Sequence, residues 1–352
     1  MSASLRQQIQ TKAALEGRLL TAHMDLTYAC NEHCIHCYRE IRSDPELTTP
    51  ETIRVLGELA NLGALFLTVS GGEAMMNPGF WEILQAAHDH RFEVLLKTNA
   101  TLLADASQVE RLLRLRVRQV DVSLHGATAA THDHITGLHG SFEHTVRGIG
   151  LLVAAKAIHV RVHVSAMQAN RNELEHIHRL TASLGVATTN LATHLLPTNA
   201  GDTAPCDMGL NPEEFAALPG HRHTPVRMLK QLPCHAGHSL LYISPYGNVT
   251  PCVVFPMVVG NVRVQTIEEI WNHSPELVAY RQQHVGQSPT CRSCPFVERC
   301  SRCPGQAWTL SRDPAAPVQS TCEEIRRLAA LDGVVETSGI VAAEHDATTA
   351  ME

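Results

Sequence analysis

The sequence predicts an α/β protein: a partial (β/α)6 TIM-like barrel followed by a small cysteine-rich module built on a β-hairpin. Three observations carry this reading. From about residue 23 to 196, short apolar runs of β type alternate with helical patterns, as parallel strands with right-handed crossovers require. The polar motifs of that stretch fall just past the apolar runs, where a barrel gathers them around one mouth. Beyond residue 196 the alternation stops, and from residue 234 seven of the eleven cysteines follow.

The elements come in order. Residues 1–22 form an N-terminal extension without an apolar signal core, read as an amphipathic first helix or a frayed end. Strands are expected at 23–28, 64–70, 92–98, 118–124, 158–166 and 186–195. Helices are expected at 49–61, 78–90, 105–115, 141–156 and 171–184, with starts marked by Thr49-Pro50, Asn77-Pro78 and Asn170. The barrel domain is therefore 23–196. Residues 197–233, rich in Pro, Gly and Thr, read as a linker able to cover the barrel mouth. The second module spans 234–332 and opens with a hairpin, Leu240–Ser244, a turn at Pro245-Tyr246-Gly247-Asn248, then Val249–Cys252. From Gly333 to residue 352 the composition of Thr, Ala and Glu predicts a disordered tail.

Composition narrows the function. At 352 residues the chain can bury a large core and carry a smaller module. It has no 18-residue apolar run, so no membrane span is expected, and it has no secretory signal. Eleven cysteines in such a chain argue for metal rather than disulfides and fit a cytoplasmic setting. A net charge of −7 with few aromatics gives no support for nucleic-acid binding. The basic group Arg111, Arg114, Arg116 and Arg118 reads as a solvated face. The histidine pairs His132/His134, His176/His178 and His221/His223 lack acidic or cysteine partners at ligand spacing, so they are expected to face solvent or bond locally.

The chemistry concentrates in Tyr28-Ala29-Cys30-Asn31-Glu32-His33-Cys34-Ile35-His36-Cys37-Tyr38, on a loop past the first strand. Three thiolates can hold three irons of a cubane iron–sulfur cluster and leave the fourth without a protein ligand. A structural zinc site is the alternative, with His33 or His36 completing the set. About 35 residues on, the apolar run 65–70 ends in Ser70-Gly71-Gly72-Glu73. The glycines would let backbone approach a ligand, whose ammonium the carbonyls and Glu73 could accept. Two more strand ends carry polar residues: Lys97-Thr98-Asn99-Ala100 and Val122-Ser123-Leu124-His125.

The triad spacing and the order of these motifs resemble the radical S-adenosylmethionine superfamily. The resemblance implies a 4Fe-4S cluster at Cys30, Cys34 and Cys37, whose open iron chelates S-adenosylmethionine. It implies contacts to that cofactor from Gly71, Gly72, Glu73, Asn99 and Ser123, and from His36 on the adenine side. Ala100 stands where the family usually has glycine. The later cysteines, Cys234, Cys252, Cys291-x2-Cys294-x5-Cys300-x2-Cys303 and Cys322, resemble the SPASM extension with two auxiliary 4Fe-4S clusters. The last spacing is one residue shorter than the family's usual one. By resemblance the outer cluster takes Cys291, Cys294, Cys300 and Cys322. The inner takes Cys234, Cys252 and Cys303 with a fourth ligand unnamed; Cys206 is a candidate for it or a free thiol.

What the resemblance implies is reductive cleavage of S-adenosylmethionine, hydrogen abstraction from an unactivated C–H bond, and loss of a second electron to an auxiliary cluster. Enzymes with this pair of modules act mostly on ribosomally made peptides, which are cross-linked, desaturated or decarboxylated. Fewer than 25 residues precede the first strand, leaving no room there for the fused peptide-recognition domain many relatives carry. Precursor-peptide capture is then expected from a separate recognition protein or from 197–233, and electrons from a flavodoxin or ferredoxin. Val253 and Val254 follow Cys252 where sulfatase-maturing relatives would carry an acidic residue. The alternatives are oxidation of a small molecule, such as a tetrapyrrole side chain or an amino-glycoside, and a non-catalytic metal scaffold.

Overall fold

A computed structural model describes residues 5–39, 41–192, 202–211, 234–282, 288–297 and 302–331, together with 195, 197, 198, 214 and 300. The expected tail and most of the expected linker lie outside the described residues.

The six predicted strands form as β1 (Thr21–Asp25), β2 (Phe66–Ser70), β3 (Glu93–Thr98), β4 (Gln119–Ser123), β5 (His159–Ser165) and β6 (Thr188–Ala192). Each pairs in parallel with the next in sequence. Helices α1 (Leu5–Leu15), α2 (Thr49–Asn61), α3 (Phe80–Asp89) and α4 (Ala106–Arg114) precede two helices between β4 and β5. These are α5 (Ala129–Thr136), which the sequence reading did not foresee, and α6 (Ser141–Ala154); α7 (Leu174–Ser183) follows β5. The helix α5 is short and rich in Thr and His, so it lacks the apolar stripe that marks a surface helix.

Strands β4 and β5 alternate apolar and polar residues, and β3 alternates in burial. Val94 and Leu96, Val120 and Val122, and Val160, Val162 and Val164 are buried in one apolar core with Leu56 and Leu59 of α2, Ile83 and Leu84 of α3 and Leu112 of α4. The intervening residues, among them Lys97, Asp121, Ser123, His163 and Ser165, line the barrel lumen. A side-chain period of two thus assigns one strand face to the core and the other to a polar interior.

The hairpin module does not stand apart from the barrel. Strands β7 (Leu240–Ile243), β8 (Asn248–Thr250) and β9 (Gly260–Asn261) extend the same sheet, giving the order β6-β5-β4-β3-β2-β1-β7-β8-β9. Strand β7 lies parallel to β1 and antiparallel to β8. Arg111, Arg114, Arg116 and Arg118 are exposed, as expected, with Arg111 stacked 3.9 Å over the Trp81 ring. No helix among the described residues is long and apolar enough to cross a membrane.

Candidate active site

The cysteine loop leaves β1 and is fastened at both ends. On one side the amides of Gly72 and Glu73 donate to the carbonyls of Thr27 and Ala29 at 2.7 and 2.9 Å. A β-carbon on Gly71 (φ +143°) would stand 2.3 Å from Thr27 O, and one on Gly72 would stand 2.3 Å from Ala29 O. The space these glycines leave is occupied by the cysteine loop's own backbone, while both residues also border the cleft. On the other side, His33 and Ile35 donate to Thr136 O and Ile135 O at 2.7 and 3.0 Å, so α5 is the support for the loop.

Around the loop the strand ends converge. Glu73 is fully buried; it accepts from the Met75 amide, the Thr98 hydroxyl and the Asn99 amide, joining the end of β2 to that of β3. Burial raises its carboxyl despite those three donors. Asn99 donates to Asn31 Oδ1 at 2.9 Å and accepts from Thr101, so its side chain fixes the cysteine loop against the third strand end. Ala100 takes φ +61°, the left-handed conformation that glycine adopts without strain. Ser123 and His36 line the cleft together with the three cysteines. Burial lowers His36 to about 4, and its ring meets that of His125 edge-on at 4.7 Å.

Several residues of the site carried no motif. Arg39 donates from Nε to Cys37 Sγ at 2.9 Å and from Nη1 to Tyr28 O, which sets a guanidinium against the thiols. Glu32, between the first two cysteines, is buried and raised to about 7 by burial. In the lumen Asp121 accepts two bonds from Arg161, at 2.8 and 2.7 Å, and lies 3.1 Å from His163 Nε2; its carboxyl is held far below the usual range. Tyr28 bonds Tyr242 at 2.9 Å, and Tyr242 donates to Asp25 at 2.7 Å, which carries the lumen network into β7. For Asp121, Arg161 and His163 the one legible signal is polar residues at every second position of apolar strands. His132 takes the second of the two expected forms: it is 1% exposed and locally bonded, with Nδ1 accepting from the His125 amide at 3.1 Å. His134, His176 and His178 are exposed, and His221 and His223 lie outside the described residues.

The cleft over these residues has a volume of about 1160 Å³ and opens to solvent. A second cleft of about 500 Å³, lined by Tyr28, Arg42, Tyr242 and Tyr246, shares Val253 with it. The later cysteines fall into two neighbourhoods. Cys322 is under the influence of Cys300, Cys291 and Cys294, whereas Cys234 is under that of Cys252 and Cys303 and is raised to about 11 by burial. Cys206 donates to Leu195 O at 3.4 Å, and the charges that act on it are Asp207 and Asp202.

The residues present fit iron–sulfur cofactors. Each neighbourhood supplies thiols, the soft donors that such clusters take. Burial raises Cys30 and Cys34, so loading the triad with metal displaces protons. Glu32 Oε1 and His36 Nδ1, on two residues that line the cleft, are buried with no hydrogen-bond partner, as polar groups awaiting a ligand would be.

Comparison with known proteins agrees. Residues 24–180 match the Radical SAM superfamily, and residues 234–295 match the SPASM iron–sulfur cluster-binding domain. The chain is 28% identical to an AdoMet-dependent heme synthase of Methanosarcina barkeri, over 82% of this chain and 92% of that one. It is 29% identical to the mycofactocin maturase MftC of Mycobacterium tuberculosis, over 78% and 75%. Among solved structures its fold is similar to Streptococcus suis SuiB bound to the precursor peptide SuiA, with a TM-score of 0.70 at 14% identity over 92% of this chain and 83% of that one. Residues 24–180 are thus a radical SAM domain and residues 234–295 a SPASM domain of one enzyme, whose cofactors are S-adenosylmethionine, a 4Fe-4S cluster and auxiliary iron–sulfur clusters.

Proposed function

We propose that this enzyme oxidises an unactivated C–H position of a ribosomally synthesised precursor peptide, forming a cross-link, a desaturation or a decarboxylated end. The observation that carries this reading is a second cleft beside the one over the cysteine loop, with Val253 lining both, which offers a further surface for a chain-like substrate. The similarity to a mycofactocin maturase supports it.

When bound, S-adenosylmethionine and the reduced cluster supply a 5′-deoxyadenosyl radical able to take hydrogen from such a position. In this reading Cys30, Cys34 and Cys37 hold the cluster, and Arg39 steadies Cys37. Gly71, Gly72, Asn99, Ser123 and His36 border the space for S-adenosylmethionine, with Glu73 fixing two of the strand ends behind them. Cys291, Cys294, Cys300 and Cys322 hold an outer auxiliary cluster; Cys234, Cys252 and Cys303 hold an inner one. The polar lumen positions the substrate and limits where a radical can react. The barrel domain is taken as 23–196 and the auxiliary module as 234–332, with 197–233 as the linker between them. A separate recognition protein delivers the peptide, a flavodoxin or ferredoxin delivers the electron, and the setting is cytoplasmic.

The heme synthase relative favours a second reading, oxidation of a tetrapyrrole side chain. Peptide masses from the native host with and without the gene separate the two. A peptide lighter by two hydrogens, or by carbon dioxide and two hydrogens, only when the gene is present establishes peptide maturation. Unchanged peptides with a tetrapyrrole accumulating in the deletion strain move the substrate to the second reading. In either case, replacing Cys30, Cys34 and Cys37 with alanine is expected to abolish 5′-deoxyadenosine production while part of the iron remains. Retained production would sink the assignment of the triad.

A further inference from the structure

Not every polar group of the lumen is taken up by the cysteine loop or by the Asp121 network. His23 and Asp25 stand two residues apart on β1, so their side chains share the lumen face, while Ala22 and Met24 belong to the apolar core. His23 borders the cleft that Cys30 and Ser123 also line; Asp25, 1% exposed, stands behind it. His23 Nε2 lies 3.4 Å from Asp25 Oδ1. Both atoms are sealed from solvent, and neither has a hydrogen-bond partner among the described residues. A buried histidine and carboxylate left so are a costly arrangement for structure alone.

Strand β7 builds the pair into position. Tyr242, opposite His23 in the register, donates to Asp25 Oδ2 at 2.7 Å, which leaves Oδ1 for His23. Its ring meets the imidazole edge-on at 5.3 Å. With Nε2 given to Asp25, Nδ1 is the nitrogen left for the cleft. A carboxylate behind an imidazole keeps hydrogen on the nitrogen facing it, leaves the other nitrogen basic and stabilises the imidazolium that forms. The titratable and charged groups around His23 are Asp25 on its own strand, Tyr242 from β7 and Lys97 from β3; β2 offers Thr68. Burial lowers His23 against the pull of Asp25, and Lys97 lowers it further, so the ring is neutral near pH 7 and free to accept a proton.

We propose that His23 is the base of the oxidation, its Nδ1 taking the second hydrogen of the substrate as a proton, with Asp25 and Tyr242 as positioning residues. This rests on the reading of the enzyme as one that oxidises a C–H position. The first hydrogen leaves the substrate as an atom, to the 5′-deoxyadenosyl radical. One electron then passes from the substrate to an auxiliary iron–sulfur cluster, and one proton passes to His23. The electron pair that this proton leaves forms the new bond to the radical carbon. The bond is a double bond when the proton comes from the adjacent carbon and a cross-link when it comes from a side-chain heteroatom. Loss of carbon dioxide from a carboxylate releases no proton, so the pair favours desaturation or cross-linking over decarboxylation.

The test uses the full-length holoenzyme, with the peptide and small-molecule fraction of a deletion-strain extract as the probe. Wild type is expected to convert one species to a form lighter by two hydrogens. His23→Gln is expected to lower that product at least about a hundredfold, the usual contribution of a general base. In His23→Gly, added imidazole is expected to restore it, and pyrazole, a weaker base of the same shape, is not. Wild-type yield from His23→Gln, equal rescue by the two rings, or a product that has also lost carbon dioxide overturns the proposal. Nitrogen-15 NMR of the holoenzyme with oxidised clusters gives a readout independent of turnover. The imidazole signals that His23→Gln removes are expected to report hydrogen on Nε2 near pH 7; hydrogen on Nδ1 instead overturns the proposal. Should wild type convert no species, the reading of a C–H oxidation fails, independently of the His23 tautomer.

Discussion

At the scale of single residues, close approach rather than reactivity explains the demand at Gly71 and Gly72. Any side chain there enters the backbone of the cysteine loop. Gly72→Ala must push away Ala29 O, Tyr28 O and the Arg39 guanidinium, each within 2.8 Å of the new β-carbon. Since Arg39 also holds Cys37, the triad moves with it. A loss of at least about tenfold in 5′-deoxyadenosine yield is expected for Gly72→Ala, since a misplaced reacting geometry of this size costs about that or more. The measurement is single-turnover product analysis alongside iron content; wild-type values for both would show that the loop can yield. The motif was legible from its residues, but its immediate partner was not. A Gly-Gly-Glu turn identifies a close approach without saying which atoms approach.

At the scale of elements, α2 is the most fully specified helix. Thr48 and Glu51 form a reciprocal capping box, Pro50 occupies the first turn, and Val55, Leu56 and Leu59 form its buried stripe. Arg263, from the C-terminal module, donates to Glu51 at 3.0 Å. That guanidinium and the donors of Thr48 hold the Glu51 carboxyl at about 2, against an ordinary value of 4.5. A depressed acid stabilises the fold fully above its unfolded value, so this contribution is present above pH 4.5 and fades as pH falls toward 2. Glu51→Gln keeps the capping acceptor but removes the charge that pairs with Arg263, so it should lower stability by about 0.5 kcal/mol at pH 7, the size of a partly exposed ion pair. Near pH 2 the variant and wild type should converge. Urea unfolding at both pH values checks this, and a difference that persists at low pH would contradict the linkage.

At the scale of the whole molecule, the two modules share one sheet. Strand β7 pairs with the edge of β1 that β2 leaves free, and Tyr242 carries a hydrogen bond from β7 to Asp25. Leu241, Ile243, Val249 and Phe255 belong to the same apolar core as the barrel strands. A chain ending at residue 233 would expose the β1 edge and the partners of those side chains, a template for aggregation. Such a fragment is expected to be insoluble or to unfold without a cooperative transition, while the full chain gives one. Expression of 1–233 followed by thermal unfolding measures this, and a soluble, cooperative fragment would show that the barrel completes itself without β7.

Six strands, five of the barrel helices, the hairpin and the grouping of motifs at strand ends were determined by the sequence itself. They rest on local causes: side-chain period, capping residues, turn residues and cysteine spacing. The helix α5 escaped because its residues carry little apolar pattern, although it supports the cysteine loop through two backbone bonds. Only the tertiary structure decided that β7 extends the barrel sheet, that Arg39 reaches Cys37, and that Asp121 is spent on Arg161 and His163. Each of these joins groups brought together by the path of the backbone in space. Strand-edge pairing and long-range polar contacts depend on which edges and which faces remain free once every other element is placed, and local pattern does not contain that information.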